Sequence, residues 1–210
     1  MDVRVQTNPF PAILLAGPPH IGKSVLSFLL TGHLRQMRTP HILLRAIPDN
    51  EGDWPMSSDQ HLIYTLRFKH KGKLSASFLA HLRQMIDRRS LPLLVDLDGA
   101  LHKDHFELIE ACSHSILLYN ETEDCAKWQR DLAQAGLLPI AELQSQQGAD
   151  DQILNLRPVL EGIISNLERG LKHQKVGATF GVLLDRVAGI CHFTDPELEH
   201  FRLSNIPKDS

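Results

Sequence analysis

Residues 17 to 24 read Gly17-Pro18-Pro19-His20-Ile21-Gly22-Lys23-Ser24, the spacing of a Walker A phosphate-binding loop. Before them stands Ala12-Ile13-Leu14-Leu15-Ala16, an apolar run of strand length; after them Val25-Leu26-Ser27-Phe28-Leu29-Leu30 continues as a helix. Strand, tight turn and helix N-terminus together aim backbone N–H groups and the positive end of the helix dipole at phosphate. In that geometry residues 17 to 25, Val25 included, wrap a nucleoside triphosphate. Lys23 reaches the β- and γ-phosphates, and the Ser24 hydroxyl ligates Mg²⁺. At average residue usage the bare pattern arises by chance in roughly one chain in a hundred of this length. The flanking strand and helix set it apart from a Gly/Pro loop that merely turns.

The remainder of the chain suits that frame. Its 210 residues, 42% apolar and 22% charged, are ordinary usage for one globular domain with a sizeable core. A formal net charge of −3 excludes a uniformly basic surface but not a local patch. Cys112, Cys125 and Cys191 are odd in number and lack framework spacing, as expected in a reducing cytosol. No signal peptide and no bilayer-length apolar stretch is recognisable, so a cytoplasmic protein that does not enter a membrane is expected.

Strand-like and helix-like segments alternate, the signature of a doubly wound parallel α/β sheet. Strands are expected at 12–16, 41–47, 93–96, 115–119 and 137–143. Helices are expected at 23–35, 77–87, 105–111 and 123–134. A glutamine-rich loop over 144–151 should then lead to helices at 158–169 and 177–189. A single domain over 1–210 follows, with a core at about 10–170 and a helical extension from 171.

Leu91-Pro92-Leu93-Leu94-Val95-Asp96 is a buried strand ending in a carboxylate. Asp96 would face the crevice beside the first strand and hold the Mg²⁺ hydration shell, a Walker B arrangement. Asp98 is a neighbouring candidate. The residue after Asp96 is Leu97, where mechanical ATPases commonly place a catalytic Glu. Its absence points to phosphoryl transfer onto a bound acceptor, or to slow hydrolysis.

The segment Arg45-Ala-Ile-Pro-Asp49-Asn-Glu51-Gly-Asp53-Trp54 follows the second strand, at the end that faces the ligand crevice. Asp49 or Glu51 would take the proton of an attacking hydroxyl, Arg45 and Asp53 would contact substrate, and Trp54 would stack on a base. The plainer alternative is a polar surface loop. A basic block then appears: Arg67, Lys69, Lys71, Lys73, Arg83, Arg88 and Arg89. Lys69, Lys71 and Lys73 are candidates for nucleic-acid phosphates, although a charge run is commonly a solvated face. Arg157 and Arg169 are further candidates for the γ-phosphate. His102, Asp104, His105, Cys112 and His114 lie close in sequence but lack the paired cysteines of a zinc site.

Three of these strings, Ala16 to Ser24, Leu44 to Trp54 and Leu91 to Asp96, together resemble a P-loop domain labelled AAA in the CRISPR field. That domain occurs fused to a ring nuclease that degrades cyclic oligoadenylate messengers in type III immunity. Arg157-Pro-Val-Leu-Glu-Gly and Asn166-Leu-Glu-Arg-Gly170 are similar too, so the likeness runs over roughly residues 10 to 170. It implies an antiviral role beside a ring nuclease domain or subunit, with short RNA or oligoadenylate as acceptor and an oligomeric assembly. No segment here looks like the ring nuclease itself, which suggests a separate subunit or an excised domain, and Leu97-Asp98-Gly99 departs from the family's continuation. The expectation is an ATP- and Mg²⁺-dependent phosphotransferase, nucleotide- or polynucleotide-kinase-like, or an ATPase. The alternative is an ATP-binding regulatory or oligomerisation module of a ring nuclease with little turnover.

Overall fold

The first strand, β1 (Ala12–Ala16), is buried along its whole length and divides two cores. Ala12, Leu14 and Ala16 join one cluster, Ile13 and Leu15 the other. Period-two alternation with both sets apolar is what a central strand covered on both faces requires. In the computed structural model, residues 8–46, 76–97, 103–168 and 177–204 are described. The elements are α1 (Lys23–Gln36), β2 (Ile42–Ala46), α2 (Ala76–Asp87), β3 (Leu93–Leu97), α3 (Lys103–Ala111), β4 (His114–Tyr119), α4 (Thr122–Gln134), β5 (Leu138–Gln146), β6 (Gln152–Asn155), β7 (Leu160–Ser165), α5 (Ala178–Ile190) and α6 (Asp195–Ser204).

Seven strands form one sheet in the order β2-β3-β1-β4-β5-β7-β6. All neighbouring pairs are parallel except β6 with β7. Helix α1 buries Leu26, Leu30 and Leu34, and α5 buries Phe180, Leu183 and Val187, on one face. On the other, α2 buries Leu82 and Ile86, α3 Leu108 and Ile109, and α4 Trp128 and Leu132. This is a doubly wound α/β architecture, helices covering both faces of a mostly parallel sheet. Strands β1 and β3, which lead into the Gly17–Ser24 loop and carry Asp96, are immediate neighbours with Leu15 in register with Asp96.

The far edge departs from expectation. Residues 158–169 were expected as a helix, but 160–165 form β7, whose burial alternates residue by residue. Two β-branched neighbours, Ile163 and Ile164, suit a pleated ribbon, and pairing with β5 on one side and β6 on the other fixes it. The glutamine-rich stretch is not wholly loop: Gln144, Ser145 and Gln146 extend β5 along β7. Helix α6 is an addition whose signal stands in the chain. Thr194 donates from N and Oγ1 to Glu197 Oε2 at 2.8 and 2.7 Å, a capping box of Thr-x-x-Glu type.

Candidate functional site

Strand β1 delivers Gly17 to the carboxyl end of the sheet. Its φ of +133° is open to glycine, and a Cβ there would collide with the Leu118 carbonyl oxygen of β4. Gly22 closes the loop at φ +98°, with Leu167 so close that an added Cβ would lie 2.6 Å from the Leu167 Cβ. Between them His20 holds a left-handed φ of +61°, a conformation that non-glycine residues pay for. Helix α1 starts immediately after, with the Leu26 amide bonded to the Gly22 carbonyl at 2.9 Å. No side chain caps this helix and no acidic residue lies in its first turn. The orphan amides and positive dipole end are therefore left for an anion.

Lys23 is only 7% exposed. Its Nζ donates to the carbonyls of Gly17 at 2.9 Å and Pro18 at 2.6 Å, so the ammonium is held inside the loop. One turn along α1, the Ser27 hydroxyl lies 3.0 Å from the Ser24 carbonyl and 3.3 Å from Asp96 Oδ2. Asp96 is fully buried. Burial pushes its carboxyl above the usual carboxylate range; a hydrogen bond from Ser24, the charges of Arg45 and Lys23, and Ser27 pull it back. Asp96 Oδ1 has no hydrogen-bond partner, and a buried polar oxygen left so is costly. A hard divalent cation or its bound water relieves that cost. The oxygen donors of Ser24 and Asp96 thus fit Mg²⁺, and Mg²⁺ when bound would neutralise phosphate charge beside Lys23.

The structure therefore brings together the loop 17–25, Lys23, Ser24, Asp96 and, from the next strand, Arg45. Arg45 is in register with Asp96 and 6% exposed. Asp49, Glu51, Asp53, Trp54, Lys69, Lys71 and Lys73 lie outside the described residues, as do Arg67, Asp98, His102 and Arg169. Two described members of the basic block, Arg83 and Arg89, have structural partners, while Arg88 is exposed. Arg83 pairs with Asp87 at 2.8 Å and donates to the Glu107 carbonyl. Arg89 is buried, donating to the carbonyls of Phe10 at 2.6 Å and Ile86 at 2.7 Å; burial lowers its pKa. Arg157 cannot serve the phosphates. It precedes β7, which runs parallel through β5 and β4 to β1, so it sits at the amino end of the sheet, opposite the loop.

Cys112 is buried, and desolvation pushes its thiol up to about 12; His114 contacts the Ser113 hydroxyl at 2.8 Å. Among the described residues no group of three or more His, Cys, Asp or Glu side chains is arranged to hold a metal. Leu97, after Asp96, is 4% exposed and part of the apolar core. Two contributors were missed in the sequence. Ser27 was legible, since it lies three residues from Ser24 on one helix face. Leu167, which backs Gly22, carried no local signal.

No protein-family profile matches the chain, and no curated protein matches it. Solved structures that are similar include a GTPase from Pyrococcus abyssi in its apo form, at 10% identity and TM-score 0.42, covering 65% of this chain and 67% of that one. Chloroplast FtsY from Physcomitrella patens is similar at 13% identity and TM-score 0.37, covering 65% of this chain. This chain spans 50% of the FtsY chain. Among the described residues no helix is long and apolar enough to cross a membrane.

Proposed function

We propose that this chain binds Mg²⁺·ATP at the phosphate loop and transfers the terminal phosphoryl group to a bound acceptor, as a nucleotide- or polynucleotide-kinase-like phosphotransferase. The observation that carries the proposal is the convergence of an uncapped helix N-terminus, a buried Lys23 and an unsatisfied Asp96 oxygen at one end of the sheet. Lys23 would leave its loop carbonyls for the phosphates, and Ser24 with Asp96 would hold the metal. Asp49 or Glu51 would accept the acceptor's proton. Preference for transfer over rapid hydrolysis rests on Leu97: β3 offers a core side chain, not a second carboxylate, beside Asp96. The same feature favours, as second reading, an ATP-gated module whose occupancy controls a partner. The partner proposed on sequence resemblance is a cyclic-oligoadenylate ring nuclease in antiviral defence, and the acceptor a short RNA or oligoadenylate.

The test is incubation with γ-labelled ATP and Mg²⁺, with and without short RNAs. Label on RNA supports the phosphotransferase; nucleotide-dependent stabilisation with no label transferred supports the gated module. Lys23→Ala is the control. At a hundredfold excess over Kd, ATP stabilises the wild type by about 2.7 kcal/mol, a rise of about 5–11 °C for a domain of this size. The variant should show none of it. Equal shifts in both proteins refute the site.

A further inference from the structure

Helices α1 and α5 both begin at the carboxyl end of the sheet, and they meet different fates there. Helix α1 opens without a cap. At α5 the Thr179 amide donates to Asp151 Oδ2 at 3.2 Å. The other carboxylate oxygen, Oδ1, accepts from the Ser165 amide at 2.9 Å and the Ser165 hydroxyl at 2.8 Å. Gly177 makes room for the group, since a Cβ there would collide with Asp151 Oδ2. Three donors from two elements thus hold one carboxylate where β7 ends and α5 begins.

Ser165 is also where the chain leaves the sheet. It is the last residue of β7, in register with Gln146, the last of β5. Asn166 turns the chain at a left-handed φ of +56°. Its amide donates to the Gln146 carbonyl at 3.3 Å, and its Oδ1 accepts from the Gly148 amide at 3.4 Å. Leu167 then lands on Gly22, its Cδ1 3.1 Å from where a Cβ would stand. It packs against the apolar cluster that includes Ile21 and Leu26. A strut of three residues, 165–167, therefore connects Asp151 to the glycine at the start of α1. Glycine adopts either sign of φ readily, so the φ of +98° at Gly22 is set by what packs on it and not by its own sterics.

We infer that Asp151 is a positioning residue for the phosphate loop: by fastening Ser165 it holds Leu167 on Gly22, and so keeps the first amides of α1 aimed at the phosphates. The inference rests on the proposed nucleotide site and adds to it a group that touches no ligand. Helix amides serve a phosphate in one orientation, and slack of about 1 Å at Gly22 is enough to weaken it.

The experiment measures, on the full chain, the Kd of a non-hydrolysable ATP analogue with Mg²⁺ by calorimetry, and urea stability without nucleotide. Asp151→Ala and Leu167→Ala should each weaken binding on the order of tenfold or more. The double variant should be no weaker than the worse single one, because both changes act on one contact. Asp151→Asn keeps an oxygen for Ser165 and should restore most of the affinity, while losing stability through the Thr179 cap. Arg186→Met is the comparison: Arg186 donates to the Ile140 and Pro158 carbonyls at 3.1 and 3.2 Å, at the amino end of the sheet, so its loss should lower stability and leave Kd unchanged. Leu167→Ala breaks no hydrogen bond and decides the matter if Asp151→Ala does not fold. Single variants that bind as wild type does overturn the inference. So do losses that multiply in the double variant, or an Arg186→Met variant that binds as weakly as Asp151→Ala. A wild type that ignores the analogue refutes the nucleotide site itself; a wild type that binds it, with Leu167→Ala unaltered, refutes the positioning role alone.

Discussion

Two glycines of one βα unit should respond to alanine with opposite sign. At Gly17 the backbone φ is +133°, a region that costs an L-residue about 1–3 kcal/mol. The new methyl would also collide with the Leu118 carbonyl oxygen. That atom belongs to the backbone of β4, which is bonded into the sheet and cannot swing aside as a side chain would. Overpacking of this kind adds about 1–3 kcal/mol, so Gly17→Ala should cost about 2–6 kcal/mol in all. At 4 kcal/mol, melting falls by about 8–16 °C for a domain of this size. Gly32 lies in the middle of α1 with no heavy atom within 4 Å of a built Cβ. Alanine there gains helix propensity, about 1 kcal/mol, and melting should rise by about 2–4 °C. Urea denaturation of the nucleotide-free protein, with m-values shown to be unchanged, measures both. A Gly17→Ala variant within about 0.5 kcal/mol of wild type refutes the loop geometry, and a destabilised Gly32→Ala refutes the open helix position.

Asp96→Asn should leave Mg²⁺-free nucleotide binding in place while Mg²⁺-dependent turnover falls by roughly 10²-fold or more, read by paired melting and phosphate-release assays. His41 and His114 are both held below the ordinary value of 6.5 by burial first, helped by Arg35 and Arg89 respectively. Because the unfolded chain then binds more protons, stability is full above 6.5 and is lost as pH falls through the window below it. His114→Gln should flatten that slope in urea titrations between roughly pH 5 and 6.5. Arg89→Met strands the Phe10 and Ile86 carbonyls and should cost about 2–4 kcal/mol, with the ATP-induced melting shift retained. Unchanged stability with weakened RNA binding would instead return Arg89 to a nucleic-acid surface.

The elements legible from sequence were those whose signals are local. The phosphate loop, α1 and the run ending in Asp96 announce themselves through turn chemistry and uninterrupted apolar strands. Residues 158–169 misled because Leu160 and Ile164 are four apart. That spacing satisfies one helical turn and also two strand alternations, and only pairing with β5 decides between them. Arg89 parts from the rest of the basic block for a related reason: it is charged, yet two carbonyls at 2.6 and 2.7 Å hold it in the core. Arg45 was visible as a residue of interest but not as a neighbour of Asp96, since that depends on strand order, which no local pattern encodes. Leu167 reaches Gly22 from more than a hundred residues away and follows the same rule.

The irregularities described above cluster at the end of the sheet where β1 and β3 deliver the phosphate loop and Asp96. His20 is in a left-handed conformation, α1 is uncapped, Lys23 is folded onto loop carbonyls, and Asp96 Oδ1 is buried without a partner. Each costs stability, and the surrounding strands are apolar and fully buried, so the cost is carried by the core. The unsatisfied groups also differ in sign. Helix amides and Lys23 call for negative charge, whereas the Asp96 oxygen beside Ser24 calls for a cation. A simple anion answers the first and leaves the Asp96 oxygen without a partner; a bare metal ion answers the second and leaves the helix amides and Lys23 without an anion. A ligand carrying several negative charges and a divalent cation bound to them answers both, and Mg²⁺·nucleoside triphosphate is such a ligand. That complementarity is the strongest physical support for the proposed function, and it does not depend on the resemblance to any other protein.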